Sequence, residues 1–245
     1  MTHDSAARAS LFALEQIGIK LGLDQIRDLV RALGRPDRAY PSIVVAGTNG
    51  KGSVTAMVER GLRAAGYRTG RYTSPHLVDL EERFAVNGEP ISSAQLDALA
   101  ARVLDASKVL PAPPSFFEAT TALALEAFRE ARVDVAVLEV GLGGRLDATN
   151  VVDSVAEAIT MIDFDHQQYL GNTIEAIARE KAAIIKPGSF VVLASNPPAV
   201  DRIVAEAADA ASARLIRARD EVDVRTEMRE GHAWIDLQTP SATYS

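Results

Sequence analysis

Apolar positions along this chain follow two rhythms. Leu23, Ile26, Leu29, Val30 and Leu33 recur at helical spacing until Gly34 and Pro36 end the pattern. Residues 42–46, 134–140, 156–162 and 191–194 are instead short, mainly apolar runs, which read as strands, and 68–73 reads as a further short strand. Helical segments are expected between them, at 54–65 and 92–110. A further one opens at a capping box, Ser115-Phe116-Phe117-Glu118, and runs through Phe128. Asn172, with Glu175 three residues on, reads as the cap of a helix ending near Ile185, before Lys186-Pro187-Gly188. Strands apolar on both faces that alternate with helices predict an α/β fold, a mainly parallel sheet covered on both sides. Residues 74–90 read as irregular. Residues 214–219, 222–228 and 232–237 read as further strands, the last two joined at Arg229-Glu230-Gly231. The expected division is an α/β core over 1–220 and the start of a small β element over 221–245, with no closing structure in 239–245.

Composition narrows the class. A chain of 245 residues with 47% hydrophobic and 24% charged residues can bury a full core as a soluble protein. Without cysteine there are no disulfides or thiolate metal sites, which fits a reducing compartment and leads us to expect a cytoplasmic protein. No secretory signal follows Met1-Thr2-His3-Asp4, and no apolar run reaches membrane-spanning length. A net charge of −7 argues against a broad nucleic-acid surface. Small anionic ligands need only local positive charge.

That local charge stands in Gly47-Thr48-Asn49-Gly50-Lys51-Gly52-Ser53, between a strand and a helix. A glycine-rich turn there brings backbone N–H groups and a helix N-terminus to a phosphate chain. Lys51 would meet the outer phosphates and Ser53 would offer a hydroxyl to magnesium. The loop departs from the usual phosphate-loop pattern, with Val45 at a glycine position and Gly52 between the lysine and Ser53. In an open parallel sheet, ligands gather at the carboxyl ends of strands. Glu139 and Asp163-Phe164-Asp165-His166 fall at such ends, and they could hold magnesium beside ATP. Each has a plainer alternative: Glu139 in a buried salt bridge, His166 as a loop filler, Glu118 as the capping partner of Ser115. Lys181 lies among Ile174, Ile177, Ala178 and Ile185 on an apolar stripe. Burial there favours the neutral amine, which reacts with carbon dioxide to a carbamate; a snorkelling or carboxylate-paired lysine stays open beside it.

The chain resembles the folylpolyglutamate synthase / dihydrofolate synthase family of the Mur ligase superfamily. The resemblance rests on residues 45–54, Thr73-Ser74-Pro75-His76-Leu77, Glu81-Glu82-Arg83, Phe116-Phe117-Glu118, residues 138–150, Asp165-His166, Leu170-Gly171-Asn172-Thr173 and residues 177–188. It implies that Thr48, Asn49, Gly50, Lys51, Gly52 and Ser53 bind ATP. It implies two magnesium ions, one on Ser53 and Glu139 and one on Ser74, Glu139 and His166, and it admits a monovalent cation. Lys181 matches a carbamylated lysine. Lys51, Lys181 and His166 carry the catalytic roles. Arg83, Ser115, Phe117, Asp147 and Ala148 match positions that meet the pterin-bearing substrate, under a mobile loop over residues 74–90. The implied reaction joins L-glutamate to a dihydropteroate or folate carboxylate through an acyl phosphate, in a monomer acting on small molecules, away from nucleic acid and membranes. Family members continue into a second α/β domain, so the resemblance implies an N-terminal ATP- and folate-binding domain with the C-terminal ligase domain absent. A peptidoglycan-precursor ligase, or a silent nucleotide-binding fragment or interaction module, is the alternative.

Overall fold

The computed structural model describes residues 6–239 and 242–244. The chain opens with two helices, α1 (Ala6–Ala13) and α2 (Asp24–Ala32). The phosphate-loop unit follows as β1 (Ser42–Ala46), α3 (Lys51–Ala64) and β2 (Thr69–Tyr72). Two short strands, β3 (Phe84–Val86) and β4 (Glu89–Pro90), lead to α4 (Ser93–Ser107), α5 (Phe116–Glu130) and β5 (Val135–Glu139). Next come β6 (Ala156–Ile159), α6 (Gln167–Leu170), α7 (Ile174–Ala182), β7 (Phe190–Leu193), α8 (Pro198–Ala210) and β8 (Arg214–Arg217). The chain then makes α9 (Ala218–Glu221), β9 (Asp223–Arg229), β10 (His232–Gln238) and β11 (Thr243–Tyr244).

Eight strands form one sheet in the order β4-β3-β2-β5-β1-β6-β7-β8, parallel from β2 to β8, with β3 and β4 antiparallel at one edge. The chain crosses from β1 over to β2 before β5 fills the gap, then builds β6 on the other side of β1. The loop after β1 therefore sits at a switch in strand order, where open α/β sheets receive ligands. Strand β5 is buried along its whole length, its apolar run Val135–Leu138 ending in the buried Glu139. Phe128 of α5 packs so closely on β2 that a Cβ at Gly70 would lie 2.6 Å from its ring. Helix α5 thus lies directly on that face, and α3 covers the other.

Several expectations need correcting. Residues 74–90 are irregular only over 74–79: Asp79 and Glu82 cap a 3-10 turn (Leu80–Arg83), and buried Phe84 and Ala85 pair with β2. Thr173, not Asn172, caps α7 by accepting the Ala176 N–H, and α7 stops at Ala182. Residues 214–217 close the main sheet, and 218–221 turn helical. Helix α8 has no counterpart among the expected elements, although Val200, Ile203, Val204 and Ala208 bury one face of it. The tail forms a separate three-stranded sheet, and Thr243–Tyr244 pairs within it. Met1 to Asp4, on which the signal-peptide reading falls, lie outside the described residues, as do Ser5, Pro240, Ser241 and Ser245. Among the described residues no helix is long and apolar enough to cross a membrane.

Candidate active site

The loop after β1 is built on glycine. Gly47 adopts φ 150°, and a Cβ there would fall 1.7 Å from Thr160 Oγ1, so the chain beyond β6 fills that space. Gly50 adopts the left-handed φ of 85° that starts α3 at Lys51. Thr48 and Asn49 are tied to the segment after β6: the Thr48 N–H donates to the Met161 carbonyl at 2.8 Å, and Thr160 Oγ1 donates to the Asn49 carbonyl at 2.8 Å. Ser53 is exposed on the first turn of α3. The expected residues 48–53 thus form one cradle at a helix N-terminus.

Two lysines converge on this loop. Lys51 Nζ donates to the carbonyls of Gly47 and Thr48 at 3.1 and 3.0 Å. Lys181 Nζ, from α7, donates to the same Gly47 carbonyl at 2.9 Å. Lys181 is 2% exposed and makes no ion pair among the described residues, so neither a snorkelling nor a carboxylate-paired lysine describes it. Burial, reinforced by the Lys51 charge, lowers its pKa to about 8. Gly144 lets the loop after β5 press on α7, since a Cβ there would meet the Glu180 carbonyl at 2.6 Å.

Glu139 ends β5 with its carboxylate over the loop; both oxygens would lie 3.5 Å from a Cβ on Gly52. Glu139 Oε2 accepts the Ser74 N–H at 3.1 Å, and burial raises the pKa of this carboxyl. Among the described residues Glu139 forms no salt bridge, and the charges of Lys51 and Arg71 act on it only from a distance. His166 follows β6 in a left-handed conformation, with Nε2 3.4 Å from Asp165 Oδ1. Among the described residues no three His, Asp or Glu side chains cluster as a metal site.

A cavity of about 410 Å³ opens beside the loop and collects Ser74, Arg83, Ser115, Phe117, Asp147, Ala148 and His166, which the sequence scatters over nearly a hundred positions. Ser115 and Glu118 form the capping box of α5, with the Ser115 N–H and Oγ donating to Glu118 Oε2 at 2.7 and 2.8 Å. Phe117 lies on Gly141, where a Cβ would approach its ring to 2.5 Å. Arg83 is buried, donates from Nε to His76 Nδ1 at 2.9 Å, and sits 5.2 Å from the centre of the Phe116 ring. Asp147 lines the cavity, yet its oxygens already accept four hydrogen bonds, from the N–H groups of Gly141, Leu142 and Thr149 and from Thr149 Oγ1. Burial raises the pKa of this carboxyl too, and its first task is to fold the loop.

Glu15 and residues 18–22 also line this cavity and were missed. Their signal was Ile19-Lys20-Leu21 between Gly18 and Gly22, whose two apolar side chains stand 54% and 46% exposed. A second cavity of about 440 Å³ holds Gly52, Arg71, Glu139 and, again, Ser74. Ser74 therefore borders both.

Residues 45–226 match the family described as the Mur ligase middle domain. The chain is 42% identical over 242 residues to the dihydrofolate synthase/folylpolyglutamate synthase of Mycobacterium tuberculosis, covering 91% of this chain and 50% of that protein. With the Bacillus subtilis protein of the same description it shares 40% identity over 208 residues, 83% of this chain and 48% of that one. The chain thus spans about half the length of these curated relatives. The crystal structure of M. tuberculosis folylpolyglutamate synthase complexed with ADP and AMPPCP superposes with a TM-score of 0.86 at 41% identity, over 98% of this chain and 57% of that one. The apo form of the L. casei protein gives 0.91 at 33% identity, over 97% and 59%. On the family match over residues 45–226 and these identities and superpositions, the chain belongs to the Mur ligase family, carrying its middle domain in the form shared with folylpolyglutamate and dihydrofolate synthases.

Proposed function

We propose that this chain binds ATP and a pterin-bearing acid for an ATP-dependent ligase that joins L-glutamate to a dihydropteroate or reduced-folate carboxylate. The observation that carries the reading is the position of Ser74, which borders the cavity of Phe117 and Ala148 on one side and that of Gly52 and Glu139 on the other. A flat ring against Phe117 would leave its carboxylate near that border, facing the terminal phosphate. The substrate carboxylate attacks the γ-phosphorus, ADP departs, and the amine of glutamate then displaces phosphate from the acyl phosphate.

Residues 48–53 hold the nucleotide, as the ADP and AMPPCP bound to the similar M. tuberculosis protein support. Lys51 leaves its loop carbonyls for the outer phosphates. The donor set suits magnesium, which takes one or two carboxylates and completes its shell with phosphate oxygens and water. Glu139 with Ser53 would hold one ion, and His166 with Ser74 and Glu139 a second. Magnesium there would neutralise charge on the transferring phosphoryl group. Lys181, with a pKa of about 8, keeps a neutral fraction near pH 7 that can add carbon dioxide as a carbamate and lose a proton. Arg83, Ser115, Phe117 and Ala148 contact the pterin acid, while Asp147 holds the loop around it. The protein acts in the cytoplasm as a monomer, and a monovalent cation can serve as a further ion.

Competition tests the substrate class. Bound dihydropteroate should be displaced by tetrahydrofolate and not by a UDP-sugar peptide. Displacement by the UDP-sugar peptide alone would replace this reading with a peptidoglycan-precursor ligase.

A further inference from the structure

We propose that Arg71 is an additional anion-binding residue of the nucleotide site, whose guanidinium receives an oxygen of the outermost phosphate and so separates a triphosphate from a diphosphate. The inference rests on the nucleotide reading above and adds to it a residue outside the phosphate-loop motif.

Placement comes from strand register. Arg71 on β2 stands opposite Val137 on β5, and Glu139 lies two residues further along the same strand. Side chains alternate between faces, so Arg71, Val137 and Glu139 share one face, while Gly70 faces Phe128 on the other. That shared face carries α3, and Arg71 lines the 440 Å³ cavity with Gly52, Ser74 and Glu139.

The guanidinium is unfinished. Arg71 Nε is buried without a hydrogen-bond partner, and no ion pair or hydrogen bond completes the side chain among the described residues. A buried charged donor left unmatched is costly, so an arginine held this way calls for an acceptor. Two carboxylates line the same cavity, and neither makes an ion pair or hydrogen bond with Arg71 among the described residues, Glu139 feeling the Arg71 charge only from a distance. Glu82 accepts the N–H groups of Leu77, Val78 and Asp79 at 2.8, 3.0 and 2.9 Å. These bonds hold its carboxyl below the usual range. Glu139 takes the Ser74 N–H and lies over Gly52. What remains is a permanently charged, forked donor beside the N-terminus of α3, a setting matched to a phosphoryl oxygen.

Calorimetric titration of the 245-residue chain with MgADP and with the magnesium complex of a non-hydrolysable ATP analogue tests this. Arg71→Gln should weaken the triphosphate analogue about tenfold or more and leave MgADP unchanged. Retained MgADP binding also shows that the variant is folded. Arg71→Lys, which keeps the charge and loses the fork, should fall between. Equal losses for both nucleotides, or no loss for either, would overturn the role of Arg71. Failure of the wild-type chain to bind either nucleotide would instead overturn the nucleotide reading, and this inference with it.

Discussion

Lys181 shows how one side chain can report its own environment. Its ordinary pKa is 10.5 and burial lowers it to about 8. Between those values the unfolded chain binds more protons than the folded one, so this residue makes stability rise with pH. Below pH 8 the folded protein carries the whole cost, on the order of 3 kcal/mol. Lys181→Met removes it. In carbon-dioxide-free buffer the stability advantage of that variant over wild type, from urea unfolding, should therefore shrink between pH 8 and 10.5; a constant gap would contradict the burial of a titrating amine. The lysine was legible in the sequence because it interrupts an apolar stripe at helical spacing. Arg71 was not, since an arginine inside a short strand run carries no sign of which face it takes. The resemblance points to Asp147 as a substrate contact, but the four loop hydrogen bonds it accepts, three from backbone N–H groups and one from Thr149 Oγ1, come from residues that only the fold brings round.

Helix α7 is the element that carries Lys181 to the phosphate loop, and its start is fixed by Thr173. Loss of an N-cap costs about 1 kcal/mol. Thr173→Ala should therefore lower stability by roughly that amount, and Asn172→Ala by much less. Equal effects in urea unfolding would return the cap to Asn172. The loop after β5 is fixed by close approach instead. Gly141→Ala would drive a methyl into the Phe117 ring, so dihydropteroate affinity should fall while MgADP affinity holds; unchanged pterin binding would remove Phe117 from that site. Element ends were the least legible part of the chain. Thr173 and Asn172 are both good capping residues side by side, and only the chain's approach to α7 chooses between them.

At the scale of the molecule, the α/β class follows from strands apolar on both faces, yet the strand order does not. The insertion of β5 between β2 and β1 depends on which crossovers the helices make, and it is this order that sets three strand ends around the phosphate loop. The small sheet of β9, β10 and β11 stands apart from the main one, with Val224, Met228, Trp234 and Ile235 half-exposed or more. Trp234 is the single tryptophan of the sequence. Its fluorescence should change at lower urea than the far-UV circular dichroism of the helices, because a sheet that buries little opens locally first. Coincident transitions would mean that the small sheet and the core unfold together.

The meeting of two ligands at Ser74 is tested most directly by titrating wild type, Lys51→Ala and Phe117→Ala with the magnesium complex of a non-hydrolysable ATP analogue and with dihydropteroate. The expected result is that wild type binds both, Lys51→Ala loses the nucleotide and keeps the pterin acid, and Phe117→Ala does the reverse. A wild-type chain that binds nucleotide but no pterin acid, or variants that lose both ligands together while remaining folded, would contradict two adjoining sites that share Ser74.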